Sequence, residues 1–214
     1  MDISLIIPCH NLEEYIAPMI STLNGQELLD VEAEVIFVLD DCTDKTEDMI
    51  KLLWNGTQYK SMQIYKCNVH CCGLAREEGR KYATGKYTWF IDGDDWLMSM
   101  YAVLKAVKEL DAQPDMDILR IGYEVPSYFQ AKGYFSMVWQ YIFRSAFIED
   151  IHFTDVQPHE DVEFMKLVVE KLNDRSILDV KDSLYYYNYF RQGSVMRQHF
   201  NNRHKDETPQ ETEE

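Results

Sequence analysis

Between residues 3 and 123, short apolar runs alternate with stretches of helical periodicity. Ile3 to Ile7 (ISLII) ends at Pro8, Ala33 to Leu39 (AEVIFVL) ends at Asp40 and Asp41, and Tyr87 to Ile91 (YTWFI) ends at Asp92. Met62 to Tyr65 and Asp117 to Tyr123 (DILRIGY) add two further runs. Short apolar runs bounded by turn residues read as buried strands. Between them, Glu13 to Leu23 carries Ile16, Met19, Ile20 and Leu23 at helical spacing. A helix capped by Thr43 or Asp44 presents Met49, Ile50, Leu52 and Leu53, and Gly73 to Ala83 and Leu97 to Leu110 continue the pattern. Such alternation implies βαβ units, right-handed crossovers and a mostly parallel sheet. In these sheets ligands bind beyond the carboxyl ends of the strands, near the switch in strand order. Pro8, Asp40 and Asp92 all deliver polar groups to that edge.

The stretch Tyr82 to Leu97 (YATGKYTWFIDGDDWL) holds the densest chemistry. Asp92 and Asp94 are two apart, so in extended chain their side chains point the same way. Gly93 between them lets the backbone bend without a steric penalty. Two carboxylates there suit Mg²⁺ or Mn²⁺, hard cations that share oxygen ligands with phosphates. The bland reading of DGDD is a polar turn with Asp95 capping the next helix. The motif by itself does not separate the two. The convergence of three strand ends favours a metal-and-nucleotide site.

From about Pro126 the pattern changes. Tyr128 to Arg144 is aromatic-rich without clean alternation. Glu160 to Leu172 reads as a helix with Phe164, Leu167, Val168 and Leu172 on one side, and Ser176 to Val180 and Leu184 to Tyr187 as short strands. This half reads as a smaller covering layer. There is no internal repeat and no Gly/Ser linker, so one compact unit is expected.

Composition limits the partners. A formal net charge of -16 repels nucleic acid, which argues against binding by counterion release. A groove for phosphates then needs a metal or a few local cations. Residues 206–214 (DETPQETEE) read as a disordered acidic tail. The five cysteines (Cys9, Cys42, Cys67, Cys71, Cys72) are an odd number without a framework, which suggests reduced thiols in the cytosol. Cys67, His70, Cys71 and Cys72 lack the second ligand pair of a tetrahedral zinc site. ISLII before Pro8 is too short for a signal peptide, and no run reaches transmembrane length. The expected location is cytoplasmic, at most peripheral at the inner face of the membrane.

With these residues in view, the sequence resembles the family 2 glycosyltransferases of the GT-A fold over roughly residues 3 to 195. SLIIPCHNLEEYI resembles the family's opening strand and Pro-x-(Tyr)-Asn turn, with His10 in the aromatic position. VIFVLDDCTDKT resembles its second strand with an acidic end. GLAREEGRKYATGKYTWFIDGDDWL resembles the block running from Ala-Arg-Asn-x-Gly to Asp-x-Asp-Asp. VWQYIFRSAFIED, HEDVEF and YYYNYFRQGSV resemble later acceptor-side and catalytic segments. The resemblance implies a Rossmann-like α/β sheet flanked by helices with a smaller acceptor-side layer. One domain would span 1–205, with a nucleotide-sugar-binding half (1–125) and an acceptor-side half (126–205). Two positions depart from the pattern. Glu77 stands where the family usually has Asn, and DDCTDKT is one residue shorter than DDGSTDGT.

The resemblance also implies roles. Asp94 would hold Mn²⁺ or Mg²⁺ against the diphosphate of a UDP-sugar, with Asp92 either a second ligand or a support for the ribose or the metal's water shell. The backbone near Pro8 and the carboxylate of Asp40 would receive uracil, with Asp41 the alternative to Asp40, and His10 would line the donor site beside them. Gly93 belongs to the same turn. Arg76 would pair with Asp92 or the phosphates, its alternative being an ordinary surface cation. Asp161 would act as general base at the first turn of its helix, the alternative being an N-terminal helix charge. Trp139 would stack on a sugar face or lie in the core. Arg191 and Ser194 would sit in a loop closing on the diphosphate. The basic run Arg197, His199, Arg203, His204 and Lys205 reads as a solvated tail or a contact with anionic lipid.

The implied activity is inverting transfer of a hexose or N-acetylhexosamine to a glycan or lipid-linked saccharide acceptor, in bacterial surface-polysaccharide synthesis. The partner set also admits a homodimer. A sugar nucleotidyltransferase would need a Gly-rich loop after the first strand, which PCHN does not supply. A calcium loop fails because Leu97 stands at the sixth position, counting Asp92 as the first, where glycine is required. A glycosidase leaves the Pro8 and Asp40 strand ends unexplained. A non-catalytic nucleotide-sugar-binding module would have lost Asp94 or Asp161, and both are present.

Overall fold

The computed structural model describes residues 1–125, 137–156, 159–173 and 175–188. Arg191, Ser194, the basic run and the acidic tail lie outside them, as does most of the stretch from Tyr128 towards Arg144.

Among the described residues the strands form one eight-stranded sheet. In chain order they are β1 (Ile3–Cys9), β2 (Ala33–Asp40), β3 (Ser61–Cys67), β4 (Tyr87–Phe90), β5 (Trp96–Leu97), β6 (Ile118–Glu124), β7 (Tyr141–Arg144) and β8 (Leu178–Tyr186). Their order across the sheet is β3-β2-β1-β4-β7-β6-β8-β5. The first four are parallel, as the strand–helix alternation requires. The chain steps outward from β1 to β2 and β3, then returns to place β4 on the other side of β1. The switch in order therefore falls between β1 and β4.

β1 and β2 are buried along their whole length, because helices cover both faces. Side-chain alternation separates two cores. Ile3, Leu5, Ile7 and Phe37 pack with α1 (Ile16–Asn24) and α4 (Ala102–Ala112), whereas Ile6, Val38 and Phe90 pack with α3 (Cys72–Arg80) and α5 (Glu160–Leu172). The predicted face of α1 (Ile16, Met19, Ile20, Leu23) is the buried one.

Several expectations are corrected. In α2 (Thr46–Leu53) only Thr46 and Ile50 are buried, and Leu52 is 76% exposed. At 100° per residue Ile50 and Leu52 lie about 160° apart, so a helix that buries Ile50 turns Leu52 outward, while Met49 and Leu53 between them pack partly buried against the core. In α5, Met165 turns inward with Phe164, Val168 and Leu172, while Leu167 points outward. Leu97 does not begin a helix. Trp96 and Leu97 pair antiparallel with Tyr186 and Tyr185 of β8, and α4 starts only at Ala102.

The second half also joins the main sheet. β7 is inserted antiparallel between β4 and β6, and β8 runs parallel to β6 as one strand in place of the two expected. A register shift around Gly122 lets β8 continue through that irregularity. Among the described residues, no helix is long and apolar enough to cross a membrane.

Candidate active site

The strand ends bring the predicted residues to one edge. Pro8 and Cys9 finish β1, and the next residue, His10, donates from Nδ1 to the backbone oxygen of Asp40 at 2.6 Å. Asn11, Asp41 and His70, which follow β1, β2 and β3, all take left-handed backbone conformations (φ 50°, 47° and 51°). Such concentration of unusual backbone is a feature of functional sites. Gly93 fits tightly here. A Cβ at this position would lie 2.7 Å from Leu12 Cδ1 and 3.2 Å from the Pro8 oxygen.

Asp40 is buried, and its carboxylate already serves the loop after β3. Oδ1 accepts the backbone N–H groups of Val69 (2.7 Å) and His70 (3.0 Å), and Oδ2 accepts that of Cys71 (3.0 Å). Asp41 is exposed beside His70, with Nδ1 to Oδ2 at 3.8 Å.

The chemical centre is Arg76. Its guanidinium is buried, donating from Nη2 to Asp92 Oδ1 at 2.6 Å and from Nη1 to Asp161 Oδ1 at 2.6 Å. Glu160 stands 3.9 Å from Nη1, and the Phe153 ring covers the guanidinium carbon at 5.5 Å. Arg76 is no surface cation. It joins the turn after β4 to the first turn of α5. Asp161 also accepts the Val138 backbone N–H through Oδ2 at 3.2 Å.

Behind this turn Asp95 is buried, which overturns the helix-capping reading. Its Oδ2 accepts the Tyr185 hydroxyl at 2.6 Å, and its Oδ1 accepts the Asn188 N–H at 2.7 Å. Trp139 is corrected as a sugar-stacking residue. It is 2% exposed, with its ring stacked on Tyr185 at 4.5 Å and Tyr123 edge-on at 5.0 Å. Aromatic richness without alternation marked it equally as core, and the sheet insertion of β7 puts it there. Sequence reading missed Tyr185, Asn188 and Glu160. The inward position of Tyr185 within YYYNYF was the available signal.

Burial raises the Asp161 carboxyl to about 7, with Asp92 and Glu160 adding to it against the opposing pull of Arg76. Burial and the neighbouring Asp94 and Asp92 hold Asp95 well above the usual carboxylate range. Burial pulls Arg76 down, but Asp161, Cys72, Asp92 and Glu160 outweigh it, so the guanidinium stays charged. Three carboxylates, Asp92, Glu160 and Asp161, surround the single guanidinium of Arg76, so the residues present would fit a divalent cation. Among the described residues, no three His, Cys, Asp or Glu side chains converge closely enough to hold a metal by themselves. A cation shared between one or two carboxylates and substrate phosphates matches that donor set.

The glycosyl transferase family 2 model matches residues 4–176. The chain belongs to this family. Among similar proteins, the poly(ribitol-phosphate) β-N-acetylglucosaminyltransferase TarS of Staphylococcus aureus is 28% identical over 217 residues, covering 92% of this chain and 37% of TarS. The solved structure of TarS residues 1–349 with UDP-GlcNAc superposes with a TM-score of 0.79 at 25% identity, covering 92% of this chain and 61% of that one. A Pyrobaculum calidifontis mannosyltransferase solved with GDP-Man and Mn²⁺ shares the fold alone. Its TM-score is 0.72 at 14% identity, over 97% of this chain and 65% of that one. The family 2 chain described here has the GT-A fold, and it spans well under half of TarS.

Proposed function

We propose that this chain is an inverting glycosyltransferase that moves a hexose or N-acetylhexosamine from a UDP-sugar to a hydroxyl of a glycan or lipid-linked acceptor, in cell-surface polysaccharide synthesis. The observation that carries this reading is the Arg76 bridge. One buried guanidinium links Asp92, in the candidate donor turn, to Asp161, the candidate base. The UDP-GlcNAc bound by TarS supports the donor class.

Asp161 keeps 22% of its side-chain surface exposed, and its Oδ atoms have lone pairs beyond those used by Arg76 and Val138. In the reaction it takes the proton of the acceptor hydroxyl. The acceptor oxygen then bonds to the anomeric carbon from the face opposite the diphosphate. The bond from that carbon to the β-phosphate oxygen breaks, and its electron pair leaves with UDP. Single displacement inverts the centre. A carboxyl raised to about 7 is a stronger base than an ordinary aspartate, yet half ionised near neutral pH.

Asp94, with Asp92, would hold Mn²⁺ or Mg²⁺, which supplies Lewis-acid stabilisation of the leaving diphosphate. Arg76 keeps Asp92 and Asp161 at a fixed separation. Asp40 holds the β3–α3 loop that walls the uracil side, and Asp41 and His10 lie on its rim. The test is UDP release from a panel of UDP-sugars with glycan acceptors, for the wild type and Asp161→Asn. Acceptor-dependent release by the wild type alone supports the proposal. UDP binding without release by either would make the chain a nucleotide-sugar-binding module.

A further inference from the structure

The acidic turn is held from behind by the end of β8. The Tyr185 hydroxyl accepts the Asp92 backbone N–H at 3.1 Å and donates to Asp95 Oδ2 at 2.6 Å. Asn188 donates its backbone N–H to Asp95 Oδ1 at 2.7 Å and its Nδ2 to the Asp94 backbone oxygen at 3.1 Å. Backbone or side chain of Asp92, Asp94 and Asp95 is thus tied to one strand end. None of these ties uses the Asp92 or Asp94 carboxylate. Tyr185 cannot drift, because its ring is fully buried and stacked on Trp139, whose backbone oxygen is fixed by Trp89 Nε1 at 2.9 Å.

We infer that Tyr185 and Asn188 are positioning residues for cation binding. They hold the backbone of the turn so that the Asp92 and Asp94 carboxylates face one point. The inference rests on the reading of this turn as a cation–diphosphate site. Carboxylates crowded on a short turn repel one another, and backbone ties on the opposite side oppose that spreading. Loosening them costs cation affinity before it costs the fold. Partners of this kind behind a metal site change affinity by about 10- to 100-fold when removed.

The test is UDP affinity by calorimetry across a Mn²⁺ titration, at a temperature well below unfolding, for wild type, Tyr185→Phe, Asn188→Ala and Tyr59→Phe. Tyr59→Phe is the control. It removes a buried hydroxyl that donates to the Leu23 oxygen at 3.1 Å, away from the acidic turn. The wild type should bind UDP more tightly as Mn²⁺ is added. In Tyr185→Phe and Asn188→Ala the Mn²⁺ concentration giving half of that gain should rise about 10-fold or more, with metal-free UDP affinity unchanged within about twofold. Tyr59→Phe should lose stability and keep the wild-type Mn²⁺ response.

If Tyr185→Phe does not fold, Asn188→Ala carries the test, because that side chain is half-buried and the backbone bond to Asp95 remains. A wild-type Mn²⁺ response in Asn188→Ala and any folded Tyr185→Phe overturns the inference alone. So does an equal loss of affinity with and without metal. A wild type that binds UDP with no Mn²⁺ effect overturns the cation reading of the turn, and this inference with it.

Discussion

Arg76 Nη1 lies 2.6 Å from Asp161 Oδ1, joining residues 85 apart in sequence, and Nη2 of the same guanidinium reaches Asp92. The planar fork makes both bonds at fixed separation, which the single ammonium of lysine cannot do. Arg76→Lys should therefore fold while kcat/KM falls on the order of 100-fold, the usual result of displacing a catalytic group by about 1 Å. Arg76→Ala leaves Asp92, Asp161 and Glu160 without their cation. It should lower stability by about 3 kcal/mol, the low end for a broken buried pair, because the carboxylates are partly exposed. Steady-state kinetics and denaturant unfolding check the two variants.

Asp161→Asn keeps the side-chain shape and removes the base. Transfer should fall by about 10²- to 10⁴-fold, with UDP affinity within about twofold of wild type. Asp94→Ala should do the reverse to binding, losing the part of UDP affinity that depends on metal. Calorimetry of both variants with and without Mn²⁺ reads the division of roles. Equal loss of UDP affinity in the two would remove it.

The raised Asp161 carboxyl sets a pH dependence. With a value of about 7, the base is protonated below neutrality, so kcat/KM should climb through pH 7 and level off above it. The sign for stability is opposite. The folded value lies above the unfolded one of about 3.8, so this group's stabilising contribution is full below that unfolded value and is lost as pH rises through 7. Asp161→Asn should flatten both trends. A pH–rate profile whose lower limb stays near pH 4 would show that Asp161 is an ordinary carboxylate.

Much of this arrangement was legible in the sequence, for identifiable reasons. The parallel strands are short apolar runs ending in polar residues, a pattern that follows from burial on both faces. α1 and α5 were readable from helical spacing, apart from Leu167. Proximity across the chain was not readable. Nothing local to AREEG places Arg76 against Asp161, because packing of α3 beside α5 decides it. Nor does DGDDWL reveal that its last aspartate is buried under a tyrosine from β8. Aromatic richness around Trp139 suited a sugar platform and a core equally, and only the insertion of β7 beside β4 assigns it to the core.

Gly93→Ala tests the packing of the turn. The new methyl would meet Leu12 Cδ1 at 2.7 Å and the Pro8 oxygen at 3.2 Å, and the backbone on that side cannot withdraw as a side chain can. Overpacking of this kind costs about 1–3 kcal/mol. Thermal unfolding should show that loss, and UDP affinity should fall with it because β1 and the acidic turn are pushed apart.

The most direct test of the account is thermal unfolding with UDP, GDP and CDP, each with and without Mn²⁺. A ligand that binds only the folded chain stabilises it by about 2.7 kcal/mol at a hundredfold excess over its dissociation constant. The midpoint should rise with UDP, and further when Mn²⁺ is added, with little change from GDP or CDP. A shift with GDP or CDP in place of UDP would overturn the donor, and no shift with any nucleotide would contradict the transferase reading itself.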